Sequence, residues 1–271
     1  MHQTVLITGA STGIGKETAK YFLENGWNVV ATMRNPENEK DLKASKNLLI
    51  VKLDVTDKAS IISAIEAGIN QFKKIDVIVN NAGYGLMGAF EGMNSEQIKK
   101  QFETNVFGLM NVCHKILPHF RQNNAGKIIN ISSVGGRVTF PLFSIYHSTK
   151  WAVEGFSESL QYELEKFNIQ VKCVEPGAIK TDFYHRSADR DISKTPDAYQ
   201  DFVKKTLLKT DEAGAKGATP RKVAKVIFQA ANDHSFRLRY PVGFDIKSLL
   251  FIRKFIGSRI FSKIVKFSLG I

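Results

Sequence analysis

Tyr146 and Lys150 stand four residues apart in the stretch Tyr-His-Ser-Thr-Lys at 146–150, and Ser133 precedes the tyrosine by thirteen residues. Residues four apart share one face of a helix. Directly after the stretch, Trp151, Val153, Phe156, Leu160 and Leu164 recur at helical spacing, which predicts a helix that starts at the pentapeptide and buries that row. A lysine ammonium beside a phenol favours the phenolate and draws a group that ordinarily titrates at about 10 toward working pH. That is the requirement for a general acid/base. An isolated pair of this kind is more often a solvated surface feature, so the surrounding chain has to supply the reason for chemistry.

The elements that would position these residues alternate between strand and helix patterns. A strand from Thr4 runs into Gly9-Ala10-Ser11-Thr12-Gly13-Ile14-Gly15, followed by a helix pattern with Ala19, Phe22 and Leu23 on its apolar face. Glycines permit a tight turn and a close approach of backbone to a pyrophosphate, and a helix N-terminus supplies N–H donors and a favourable dipole. The second strand, 28–32, ends at Met33-Arg34. In a dinucleotide-binding unit a residue about 20 positions beyond the glycines meets the adenosine ribose; here it is Arg34, whose fork suits the 2′-phosphate of NADP(H) better than NAD(H). Strands at 48–55, 76–79, 127–131 and 170–174 end in polar or small residues: Asp54, Asn80 to Gly83, Ser132 and Ser133, and Glu175 to Thr181. Asp54 is read as a turn cap or a partner for adenine. A seventh strand is predicted at 238–242. A helical stretch from Ser95 to Arg121 contains Asn105, a poor mid-helix residue that asks for a reason, and Pro118, which should bend its last turns. Polar clusters at the C-terminal ends of alternating strands argue for an α/β fold: a doubly wound parallel sheet of about seven strands with helices on both faces.

With Thr-Gly-Ala-Ser-Thr-Gly-Ile-Gly at 8–15, Asn-Asn-Ala-Gly at 80–83, Asn105, Ser133, the 146–150 pentapeptide and Pro-Gly-Ala-Ile-Lys-Thr at 176–181, the chain resembles the short-chain dehydrogenase/reductase family. The likeness is to its single-domain branch and runs from Thr4 to Thr181. Val29 to Pro36 and Arg239 to Gly243 look most like NADP-using 17β-hydroxysteroid and retinol dehydrogenases. The resemblance implies that Tyr146 exchanges the proton with the substrate oxygen. Lys150 would lower the tyrosine pKa and bond the nicotinamide ribose, Ser133 would orient the carbonyl, and Asn105 would complete a water-mediated relay. It further implies that Gly9, Ser11, Gly13, Ile14 and Gly15 hold pyrophosphate and ribose. Asp54 and Val55 would meet the adenine, and Asn81, Ala82 and Gly83 the adenosine side. Pro176, Gly177, Ile179 and Thr181 fall at the carboxamide end. Ser132 is read as structural, and His147 as touching substrate or facing solvent. No metal is expected. The implied activity is NADP(H)-dependent alcohol–carbonyl interconversion; the alternatives are a non-catalytic NAD(P)-binding regulator and an epimerase.

At 271 residues with 43% hydrophobic and 24% charged side chains, the chain suits one soluble domain, 1–271. Cys113 and Cys173 make no disulfide framework and fit a reducing, cytoplasmic setting, with no signal peptide or membrane span in view. The net charge of +12 is uneven: residues 236–271 hold eight basic side chains and one acid, Asp245. No nucleic-acid module accompanies this charge, so a nucleic-acid partner is not expected. Leu86, Met87, Val138, Phe140, Leu142, Phe143, Phe183 and Tyr184 flank the candidate residues and are read as an apolar pocket for a small lipophilic carbonyl or alcohol. Residues 182–219 are read as an irregular, charged lid. A basic amphipathic segment at 246–271 would pack over the entrance, join a homodimer or homotetramer, or touch a membrane surface.

Overall fold

Successive residues of one strand divide between two cores. In the strand Thr4–Ile7 (β1), Val5 and Ile7 pack in one cluster and Leu6 in another; Val77 and Val79 likewise separate from Ile78, and Ile129 and Ile131 from Ile128. This period-two division is what a pleated strand covered on both faces requires. A computed structural model describes residues 2–180, 188–190 and 192–270. Its elements, in chain order after β1, begin with α1 (Gly13–Glu24), β2 (Asn28–Met33), β3 (Leu48–Lys52), α2 (Lys58–Phe72), β4 (Val77–Asn80) and β5 (Gly85–Leu86). There follow α3 (Ser95–Phe102), a π-helical turn (Glu103–Gly108), α4 (Leu109–Gln122), β6 (Gly126–Ile131), α5 (Ser144–Leu164) and β7 (Ile169–Glu175). The chain ends with β8 (Ala188–Asp189), α6 (Gln200–Ala215), α7 (Pro220–Asn232), β9 (Arg239–Pro241) and α8 (Phe244–Leu269).

Seven strands form a parallel sheet in the order β3-β2-β1-β4-β6-β7-β9. Helices α1 and α7 cover one face through Phe22, Val223 and Ile227; α2, α4 and α5 cover the other through Ile61, Val112, Ile116, Phe120 and Val153. Each such fully buried large side chain contributes on the order of 2 kcal/mol. Because the chain builds β2 and β3 outward from β1 and then returns to place β4 on its other side, a crevice opens beyond the C-terminal ends of β1 and β4, where open α/β sheets bind ligands.

Three expectations need correction. The single helix over 95–121 is broken by the π-helical turn, which contains Asn105 and absorbs the poor helix residue. The segment 182–219 is not irregular throughout, since α6 gives it a regular helix. Trp151 does not join the buried row of α5 and is 50% exposed, while Val153, Leu160 and Leu164 are buried.

Candidate active site

The glycine turn and the end of β4 are built to touch. Gly9 and Gly13 have φ of +68° and +55°, which glycine adopts without strain. A Cβ at Gly9 would lie 3.0 Å from Ala82 Cα, and one at Gly15 only 2.2 Å from the Gly9 carbonyl oxygen. Gly15 therefore sits beneath the turn and lets α1 approach it, whereas Gly9, Ser11, Gly13 and Ile14 line the cleft itself. Asn81 Nδ2 donates to the carbonyls of Thr8 and Gly9 at 2.9 and 3.0 Å, so that side chain braces the turn. Thr12, the N-cap of α1, makes no side-chain cap bond, and the first turn holds no acid. The leading N–H groups of α1 are thus left to an anion.

The cleft has a volume of about 1240 Å³ and continues past Arg34, Asp54 and Val55 at one end. Arg34 is exposed and has no acid partner among the described residues. Farther along the loop after β2, Glu39 and Asp41 both pair with Lys16, at 3.0 and 2.8 Å. Asp54 Oδ1 accepts from the backbone N and hydroxyl of Thr56 at 2.9 and 2.8 Å, which makes it a turn cap at the cleft wall.

At the other end lie Ser133, Tyr146, Lys150, Pro176, Gly177 and Ile179. Lys150 is buried, with its Nζ 5.7 Å from the centre of the Tyr146 ring and donating to the Ile131 carbonyl at 2.8 Å. Burial pulls its pKa down to about 8, partly opposed by the charge of Glu154 one turn along α5. Ser133 caps the short turn 134–136, its Oγ accepting from Gly135 N at 3.0 Å. Asn105 is fixed by its own side-chain bonds. Its Oδ1 accepts from Tyr84 N at 3.1 Å, and its Nδ2 donates to Tyr84 O at 2.9 Å and to Thr149 Oγ1 at 3.3 Å. Its side chain is spent on holding the Gly83–Tyr84 backbone against α5, and it does not line the cleft. A Cβ at Gly83 would meet Asn105 Oδ1 at 3.0 Å, so that glycine allows the bracing.

His147 is buried at 5% exposure, not turned to solvent. It stacks on Phe143 with ring centres 5.2 Å apart, and its Nδ1 accepts from Phe140 N at 3.4 Å. A Cβ at Gly135 would lie 2.4 Å from its ring, so the imidazole supports the loop that carries Ser133. Burial pushes its pKa down to about 4, which keeps the ring neutral near neutral pH.

Two polar networks escaped the sequence reading. In the first, Asn80 Nδ2 donates to Asn130 Oδ1 at 2.9 Å and Asn130 Nδ2 to Ser157 Oγ at 2.8 Å, all buried, pinning α5 to β4 and β6. Its signal was Asn130, an amide between Ile129 and Ile131 inside a strand pattern. In the second, Arg239 Nε pairs with Glu154 at 3.0 Å, and Arg137 pairs with Glu175 at 3.1 Å. Burial and the neighbouring carboxylate of Glu154 raise the pKa of Glu175, and the two arginines oppose this. The first pair ties the edge strand β9 to α5, and the second ties the turn after β6 to β7.

Of the expected apolar pocket, Phe140 and Phe143 line the cleft. Leu86, Met87 and Val138 are each 1% exposed and belong to the interior, because β5 and the turn after β6 aim them inward. Leu142 packs with Ala89 and Val203 and opens on a separate small pocket. Thr181, Phe183 and Tyr184 lie outside the described residues. The cleft gains a wall that was not foreseen: Asp245, Ile246, Leu249 and Ser268 of α8 line it, and Ile246 occupies the space where a Gly177 side chain would stand.

The model of the short chain dehydrogenase family matches residues 3–191. An uncharacterized oxidoreductase, YusZ of Bacillus subtilis (strain 168), is 40% identical over 258 residues, covering 92% of this chain and 91% of that protein. A 3-ketodihydrosphingosine reductase of Bacteroides thetaiotaomicron is 38% identical over 241 residues, covering 89% of this chain and 88% of the relative. Among solved structures, ElxO with NADP bound superposes with a TM-score of 0.76 at 30% identity, covering 92% of this chain and all of that one. The chain belongs to the short-chain dehydrogenase family, whose oxidoreductases depend on NAD(P). The turn without room for a Cβ, the uncapped start of α1 and the cleft reaching to Tyr146 fit a dinucleotide. Among the described residues no helix is long and apolar enough to cross a membrane, and no cluster of metal-ligating side chains occurs.

Proposed function

We propose that this protein is an NADP(H)-dependent oxidoreductase that interconverts an alcohol and its ketone or aldehyde on a lipophilic substrate. The observation that carries the reading is the grouping of Ser133, Tyr146 and Lys150 with the apolar Phe140, Phe143, Ile246 and Leu249 at one end of a cleft that has Arg34 near its other end. Bound along the cleft, the nicotinamide cofactor supplies or takes up the hydride. Tyr146 Oη gives its proton to the carbonyl oxygen in reduction and takes it from the hydroxyl in oxidation. Lys150, held under the ring, favours the phenolate, and Ser133 Oγ orients the substrate oxygen. The guanidinium of Arg34, exposed on the cleft and in no ion pair among the described residues, supports the 2′-phosphate and hence NADP(H). The apolar walls support a lipophilic substrate, as does the relative whose name gives it a keto-sphingoid substrate.

The test is NADPH consumption against a panel of lipophilic and small charged carbonyls, with wild type beside Tyr146→Phe. The variant should lose roughly 10²- to 10⁴-fold in rate. Equal rates would defeat the acid/base assignment, and turnover confined to small charged hydroxyacids would defeat the substrate class.

A further inference from the structure

After Asp245 the chain contains no acid, yet it carries Lys247, Arg253, Lys254, Arg259, Lys263 and Lys266. These cations share α8 with the largest group of exposed apolar side chains among the described residues: Phe251, Phe255 and Phe267 are 66%, 68% and 90% exposed, and Ile252, Ile260 and Ile264 are exposed with them. Gly257, with φ 69° and ψ 175°, divides α8 into two legs, 244–256 and 258–269. On the first leg Phe251 and Phe255 are one turn apart, with ring centres at 4.7 Å. The second leg carries three rows. Phe261 and Val265 are buried with Ile246 against Val134 and Val138. Ile260, Ile264 and Phe267 form an exposed apolar row, and Arg259, Lys263 and Lys266 form a basic row beside it, on the side away from the buried one.

We infer that α8 is a membrane-surface element that lays its exposed phenylalanines and isoleucines into the interface of an anionic bilayer. Charge decides the occupant. An apolar stripe bordered by cations without a single acid matches a surface of anionic headgroups over acyl chains. Protein interfaces also take up phenylalanine but are depleted in lysine, so the four lysines Lys247, Lys254, Lys263 and Lys266 weigh against a protein partner. A second copy meeting this face with its own identical face would set cation against cation. The orientation has a consequence for the site. Asp245, Ile246, Leu249 and Ser268 of the same helix line the cleft, so an α8 resting on the bilayer brings the wall of the cleft to the lipid phase. A lipophilic substrate then exchanges between membrane and cleft. This last consequence rests on the proposed substrate class, whereas the binding does not.

The experiment is co-sedimentation of the full chain with vesicles of phosphatidylcholine and phosphatidylglycerol at 3:1, with pure phosphatidylcholine beside it. Wild type should pellet with the anionic vesicles. Binding should fall at least about tenfold on pure phosphatidylcholine or in 0.5 M salt, and by about tenfold for the triple variant Phe251→Ser, Phe255→Ser, Phe267→Ser. These side chains lie outside the cleft, so circular dichroism and turnover of a water-soluble carbonyl should match wild type. Failure of wild type to pellet with anionic vesicles, or undiminished pelleting of the triple variant, overturns the inference. So does light scattering that shows a dimer abolished by the triple variant, with no vesicle binding. Pelleting is read without turnover, so a failed substrate panel leaves this result standing by itself.

Discussion

His147 should make the fold acid-sensitive, and the size of the effect follows from its burial. The imidazole ordinarily titrates at 6.5, and in the folded chain burial lowers this to about 4. Between those two values the unfolded chain binds the proton that the folded chain refuses, so stability is complete above about 6.5 and is lost as pH falls toward 4. At about 1.4 kcal/mol per pH unit the whole effect is about 3 kcal/mol, of which about 2 kcal/mol should disappear between pH 7 and pH 5. Other groups titrate over the same range. His119 is also lowered by burial and acts in the same direction, while Glu175, raised to about 7, acts in the opposite one. Both are retained in a His147→Gln variant, so the difference in pH slope between the two proteins isolates the one ring. Urea unfolding at pH 7 and pH 5 measures it. Wild type should lose about 2 kcal/mol more than the variant over that interval. Parallel slopes would refute the placement of a neutral, buried His147 against the Ser133 loop. Because the ring packs at Gly135, two residues from Ser133, the variant should also lower kcat more than it changes the affinity for NADPH.

Arg34→Ala should weaken NADPH binding by roughly 10- to 100-fold, the loss expected for charge-assisted bonds to a phosphate, and change NADH binding little; fluorescence titration of each cofactor decides, and equal losses would remove Arg34 from the 2′-phosphate. Asn130→Ala removes the acceptor of Asn80 and the donor to Ser157 in the buried ladder beneath α5, and should cost roughly 2 to 4 kcal/mol in urea unfolding; a change below about 0.5 kcal/mol would mean that the ladder does not hold that helix.

The sheet was legible because parallel strands covered on both faces are short runs of apolar residues between helical patterns, and each of the seven ended in turn or polar residues that mark a boundary. Tyr146 and Lys150 were legible for a similar reason, since four-residue spacing has a fixed meaning on a helix. What could not be read was whatever depends on the partner across space. Gly15 is a glycine because of the Gly9 carbonyl above it, Asn105 turns to Tyr84 and Thr149 and away from the cleft, and His147 is buried because Phe143 and Gly135 close over it. The local pattern around His147 is that of an ordinary helix turn, and nothing in it distinguishes solvent from a loop packed overhead.

The C-terminal segment divides along the same line. Its charge, its lack of acids after Asp245 and its amphipathic period are properties of the linear chain and were set by the order of residues alone. Which apolar row would be buried was decided by tertiary structure, because two rows of similar hydrophobicity compete for one face. Val134 and Val138 offer a surface to Phe261 and Val265, and leave Phe251, Phe255 and Phe267 outside. The same docking made α8 a wall of the cleft, a role that depends on contacts across more than a hundred residues of sequence and that no local pattern encodes.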